Sequence, residues 1–225
     1  MKKISDIRIF KSLKPNVDRA PLPVGLASKQ LFTTVRRIVL KLRENQFSLG
    51  DFDHLYLNFT TRVEEGEIIL SSRTAPGGNN FFRFYDIGVS REQFDILEEP
   101  DQIPFILGKL EETMVRFFGD DGREEIIRGS IRTAVEQGEE MQMLYKKKEA
   151  QGRTAVLSLR FLDSGEYFPL LCVYDKEDNL LLQKDLDPMR DLSTLGEIRL
   201  TGKRVSIYPR QTAKAKTFRP LTFEF

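Results

Sequence analysis

His54, Tyr56 and Asn58 occupy alternate positions of the segment Asp53-His54-Leu55-Tyr56-Leu57-Asn58-Phe59-Thr60, and Arg83 and Tyr85 repeat that spacing farther along the chain. Alternation predicts a strand with Leu55, Leu57 and Phe59 facing the core, so His54, Tyr56, Asn58 and Thr60 share the opposite face. The same logic groups Arg83 and Tyr85 on one side of a strand whose other side carries Phe82 and Phe84. An imidazole, two phenols, an amide and a guanidinium on one polar sheet face could bind an anion or serve acid–base chemistry. An ordinary solvated sheet face uses the same residue types.

Few other residues offer chemistry. His54 and Cys172 are the only histidine and cysteine among 225 residues, and tryptophan is absent. The usual Cys/His zinc site cannot be assembled from one of each, and a single cysteine forms no internal disulfide. No metal, cofactor or catalytic residue is therefore assigned. Gly77-Gly78 lacks the Lys-Ser/Thr that completes a phosphate-binding loop, and a strand pattern rather than a helix start follows it. The composition points away from common catalysis and towards a non-catalytic module that works by binding.

Charge is segregated along the chain. Residues 1–49 hold eleven Lys/Arg against three Asp/Glu (+8), residues 50–140 nine against twenty (−11), and residues 141–225 fifteen against eleven (+4). Acidic pairs punctuate the middle at turns and helix ends: Glu64/Glu65, Glu98/Glu99, Asp120/Asp121 and Glu124/Glu125. Solvation alone accounts for such a pattern. An acidic surface presented to a basic partner is the functional alternative, and it makes those eight residues the candidate partner-binding set. Near the C-terminus, Lys203, Arg204, Arg210, Lys214, Lys216 and Arg219 are interleaved with Tyr208 and Phe218, a composition that suits nucleic-acid contact. The net charge of only +1 and the acidic middle oppose binding a polyanion.

The elements that must position these groups read as an α+β fold. After a strand at residues 7–10 and a loop marked by Pro15, Pro21 and Pro23, a helix is expected from Ser28 to Arg43, with Leu31, Val35, Ile38, Val39 and Leu42 as its apolar stripe. Strands at 53–60, 67–72 and 81–89 are expected to form an antiparallel meander, with a turn at Glu64-Glu65-Gly66 and a loop at residues 76–80. Ser90 opens a short helix with capping-box spacing to Gln93, and Asp101 caps a longer one carrying Ile106, Leu110, Met114 and Phe117. A third helical segment presents Ile127, Ile131 and Val135 and fades at Gly138. From Met143 onwards strand follows strand, with Gln151-Gly152, Ser164-Gly165, Asp178-Asn179 and Thr201-Gly202 between them. The expected architecture is an antiparallel sheet with helices packed on it in residues 1–141, and a β-rich part in residues 142–225. That second part is either a separate domain or an extension of the first sheet. No stretch approaches the roughly 18 apolar residues of a membrane span, and the N-terminus lacks the apolar core of a secretory signal, so the cytoplasm is the expected location.

The segment Asp53–Thr60, followed by Gly66-Glu67 and by Phe84-Tyr85-Asp86-Ile87-Gly88-Val89, resembles a class of immunity proteins encoded beside bacterial polymorphic toxins. That class pairs a strand of the form H-L-Y-x-N-F-T with an aromatic-Asp-x-Gly-Val strand and a helix bearing Phe, the place of Phe94 here. The resemblance covers roughly residues 50–100. It implies a cytoplasmic antitoxin that binds a cognate toxin protein and blocks it with no chemistry of its own. An enzyme using the His54/Tyr56/Arg83 face, and a scaffold or nucleic-acid-binding protein using the β-rich half, are the alternatives.

Overall fold

The computed structural model describes residues 2–14, 22–73, 81–120, 122–212 and 217–225. It has two compact units, Met1–Gly138 and Glu139–Phe225, and the fold is α+β. No helix among the described residues is long and apolar enough to cross a membrane.

The first unit is built on a five-stranded sheet of order β2-β1-β3-β5-β4. Its strands are β1 (Asp6–Lys11), β2 (Val24–Gly25), β3 (His54–Thr60), β4 (Ile68–Leu70) and β5 (Phe82–Gly88). β1 and β3 are parallel, joined through the helix α1 (Lys29–Glu44). Ser28 caps that helix by accepting a hydrogen bond from the Leu31 amide at 3.2 Å, which satisfies one of the unpaired donors of the first turn. Its stripe of Leu31, Val35, Ile38, Val39 and Leu42 is buried.

The expected antiparallel meander is not formed. β3 and β5 are parallel neighbours, while β4 lies outside β5 and pairs with it antiparallel, so the sheet is mixed. The chain leaving β3 therefore skips one strand position. Its route passes so close over the end of β5 that a Cβ on Gly88 would lie 1.8 Å from the Glu64 carbonyl oxygen. Glycine at 88 permits that crossing. β1, expected as an edge strand, is flanked by β2 over Phe10 and Lys11 only.

Helices cover the sheet face that carries Leu55, Leu57 and Phe59. They are α2 (Arg91–Ile96), α3 (Ile103–Phe118) and α4 (Arg123–Gln137) in addition to α1. Phe105 of α3 lies against Phe59 at 6.2 Å between ring centroids, and Phe117 lies against Tyr85 at 4.5 Å. Ser90 caps α2 through the Gln93 amide, but the Gln93 side chain bonds Gln102 rather than closing a capping box. Asp101 caps nothing: it sits inside a short 3-10 turn, Pro100–Gln102, that leads into α3. On α4 the buried positions are Ile127, Ser130, Ile131 and Ala134, and Val135 is 54% exposed. Two steps of four residues drift by roughly 80° around a helix of 3.6 residues per turn, which carries Val135 out of the interface.

The second unit is antiparallel. One sheet has the order β6-β7-β8-β9, comprising Met143–Ala150, Arg153–Phe161, Tyr167–Asp175 and Leu180–Asp185. The other has the order β10-β11-β12, comprising Ile198–Leu200, Arg204–Ile207 and Leu221–Glu224. On β7 every second residue from Ala155 to Phe161 is buried, the period of a sheet with one face on a core. Gln151 and Gly152 both take positive φ, +52° and +66°, matching the twist demanded of a tight hairpin.

Candidate functional site

The five residues of the expected polar face do not come together. In the parallel register Tyr56 stands beside Phe84 and Asn58 beside Asp86, whereas Arg83 and Tyr85 stand beside Leu55 and Leu57. Residues in register on adjacent strands share a face, so Arg83 and Tyr85 lie on the helix-covered side, opposite His54, Tyr56 and Asn58. The Arg83 guanidinium sits over the Phe52 ring at 4.7 Å, and Tyr85 is wedged against Phe117 and Phe118. Burial pushes the Tyr85 phenol above its ordinary pKa, with Arg83 opposing the shift.

The opposite face is not a solvated one either. Phe10, Tyr56 and Phe84 form a buried aromatic cluster with Phe82 packed against it. Tyr56 meets Phe10 and Phe84 edge to face at 5.5 and 5.0 Å. Burial raises the Tyr56 phenol as well, although Arg8, 5.5 Å from the ring centroid, favours its ionised form. Asn58 is 1% exposed and donates to Asp86 at 2.7 Å. His54 alone keeps some access, at the strand's N-terminal end, where Nδ1 lies 2.6 Å from the Asp53 carboxylate and the ring leans on Phe82. Asp53, adjacent in sequence, is the histidine's partner that alternation does not flag. His54, Tyr56 and Arg83 thus do not converge on one reacting point, which an acid–base site requires.

The acidic candidates divide into two groups. Glu98 is paired with Lys11 at 2.9 Å, Glu124 with Arg128 at 2.8 Å and Glu125 with Arg132 at 3.0 Å. Arg128 also holds Glu111, tying α4 to α3. Their charge is largely spent within the molecule. Glu64, Glu65, Glu99 and Asp120 are exposed and form no ion pair among the described residues; Asp121 lies outside them.

Glu64 and Glu65 are held in place by backbone. Gly66 donates to the Gly88 carbonyl at 3.0 Å, Gly88 donates to Glu67 at 2.9 Å, and Glu67 donates to Glu64 at 3.0 Å. Gly66 itself adopts φ +86°, a conformation that favours glycine. The turn feeds directly into β4, where Ile68 is buried but Ile69 and Leu70 are 42% and 51% exposed. Glu67, Ile69 and Ser71 turn their backbone groups towards β5, as the Gly88–Glu67 and Ser71–Phe84 hydrogen bonds show. The amides and carbonyls of Ile68 and Leu70 therefore point away from the sheet, and no strand covers them among the described residues. Three unpaired carboxylates (Glu64, Glu65 and Glu67) thus adjoin an open strand edge with two exposed apolar side chains. Ile69 and Leu70 carry no chemistry, so only the placement of β4 at the sheet edge marks them.

Of the basic C-terminal candidates, Lys203 and Arg204 lie exposed at the β10–β11 turn, and Arg219 and Phe218 are exposed before β12. Lys214 and Lys216 lie outside the described residues. Arg210 and Tyr208 do come together, with Tyr145, Lys146 and Arg199. No protein-family model, curated protein or solved structure matches the chain.

Proposed function

We propose that this chain is a non-catalytic binding protein, and specifically an immunity protein that neutralises a cognate bacterial toxin by docking it along β4. The observation that carries this proposal is the open β4 edge beside the uncompensated Glu64, Glu65 and Glu67. A partner strand added there gains main-chain hydrogen bonds from Ile68 and Leu70, which recognise an extended backbone whatever its sequence. Ile69 and Leu70 add apolar contact. The carboxylates favour a partner bearing Lys or Arg, and steer it before contact. Because the acidic turn is fixed to β5 by three backbone hydrogen bonds, little conformational entropy is lost when a partner arrives. A cytoplasmic setting and the resemblance over residues 50–100 accord with this role.

The test is co-expression of the full chain with the protein encoded by its neighbouring gene. Protection of growth and a stable complex are expected. Association should slow by roughly tenfold and lose much of its salt dependence in the double variant Glu64→Lys/Glu65→Lys. A complex whose kinetics ignore both this reversal and Leu70→Lys would overturn the docking site, and the absence of any complex or protection would overturn the immunity role.

A further inference from the structure

In the second unit, β6 pairs with β7 in regular register except at Tyr145. Leu144 stands opposite Ser158 and Lys146 opposite Leu157, leaving Tyr145 as an extra residue in a bulge. Bulges re-aim side chains. Here Lys146 lands in register with Leu157, a fully buried residue, so a lysine is directed to the side of the sheet that holds the core. Its ammonium reaches the Gly196 carbonyl, and the Tyr145 hydroxyl lies 3.5 Å from the carbonyl of Leu195, the residue before. Burial, and then the nearby charge of Arg210, hold the Lys146 ammonium below the usual lysine pKa.

Arg210 is brought there by an equally specific contact. A Cβ on Gly196 would come within 2.6 Å of the backbone of Tyr208, Pro209 and Arg210. Only glycine lets the two segments touch, and the Gly196–Tyr208 and Arg210–Ser193 hydrogen bonds, at 2.8 and 2.7 Å, lock them. The Arg210 guanidinium then donates to the Tyr145 hydroxyl. It also lines a cleft of about 430 Å³ with Arg199, Tyr208 and Glu197. Arg199 is neutralised by Glu197 at 3.1 Å and lies over the Tyr208 ring at 4.3 Å. Lys146 and Arg210 have no carboxylate partner among the described residues; both are held by neutral oxygens.

Two like charges forced together, one of them partly desolvated, are unfavourable without a counter-anion. A carboxylate would offset only one of them. A phosphate dianion offsets both, and its several oxygens suit a guanidinium fork beside an ammonium. We propose that Lys146 and Arg210 form a binding site for a phosphate group, either free or as a phosphate monoester on a small ligand. The site is independent of the β4 edge.

The experiment is titration of the full ¹⁵N-labelled chain with inorganic phosphate, with adenosine 5′-monophosphate and with acetate, at constant ionic strength. Saturable shifts of the Lys146, Gly196 and Arg210 amides are expected with both phosphates and not with acetate. Equal affinities assign the phosphate group alone. Tighter binding of the nucleotide adds contact with the Tyr208 wall, and either result upholds the site. Arg210→Gln, at an exposed position that leaves the fold intact, should weaken phosphate binding at least tenfold, and Lys146→Met should do the same. Absence of saturable shifts, an equal response to acetate, or phosphate binding unchanged in Arg210→Gln overturns the proposal.

Discussion

Asn58 donates a 2.7 Å hydrogen bond to Asp86 across two parallel strands, while its own Oδ1 is buried with no partner among the described residues. The pair fixes the β3–β5 register on a face that is otherwise aromatic. Asn58→Ala removes a donor to a carboxylate that is 7% exposed. Losing a hydrogen bond to a buried charged group costs about 1–3 kcal/mol. Urea unfolding of the full chain should show a lower midpoint, and an unchanged one would refute the structural role assigned to the amide.

Local signals were readable in the sequence and long-range ones were not. Ser28 and the Leu31–Leu42 stripe announce α1 because capping and helical period involve only near neighbours. The Gln151-Gly152 turn declares its hairpin for the same reason. The parallel pairing of β3 with β5 depends on Gly88 lying under Glu64, a contact between residues that no local pattern links. Once β3 is central, both its faces are covered, and the alternation of Tyr56, Asn58 and Thr60 with apolar residues ceases to mean exposure. The candidate sites were half-legible: the acidic turn by composition, its open strand edge only by topology. Lys146 was hidden because a bulge reverses the side that alternation gives it.

Gly88→Ala is expected to strain the crossing that holds the acidic turn. The added methyl would sit 1.8 Å from the Glu64 oxygen and 2.6 Å from its carbonyl carbon, both of them backbone atoms that cannot swing aside. Overpacking of this kind costs about 1–3 kcal/mol. Amide spectra should show the largest shifts at residues 64–67. A variant with wild-type stability and unmoved resonances there would contradict the close approach.

The β8–β9 hairpin should weaken in acid. The Asp175 carboxylate accepts from the Glu177 amide at 2.8 Å and from the Asn179 amide and side chain, each at 3.0 Å. The Asn179 side chain first, and then its amide, hold the Asp175 pKa below its ordinary value. A depressed carboxylate stabilises the fold above the unfolded pKa of about 3.9, and that contribution is lost as pH falls through the folded value. The stability difference between wild type and Asp175→Ala should therefore be full near neutral pH and shrink towards about pH 3. Denaturant titrations across that range decide it; a difference independent of pH would sink the prediction.

Ile68 and Leu70 lie on the same side of β4, two residues apart, and should respond oppositely to substitution. Ile68 is 2% exposed and in register with Ile87, so Ile68→Ala opens a cavity in the core and should cost about 2–5 kcal/mol. Leu70 is 51% exposed at the sheet edge. Leu70→Lys keeps the backbone pairing with Tyr85, and its effect on stability should stay within about 0.5 kcal/mol. A lysine on an edge strand opposes the addition of another strand, because the incoming chain must bury or displace the charge. Next to Glu64, Glu65 and Glu67 it also cancels part of the field that favours a basic partner. The variant should therefore fold and melt like the wild type yet lose protection against the neighbouring gene's product. Thermal unfolding and growth assays on the same two variants separate these effects. Protection retained by a folded Leu70→Lys protein would move the docking surface away from β4.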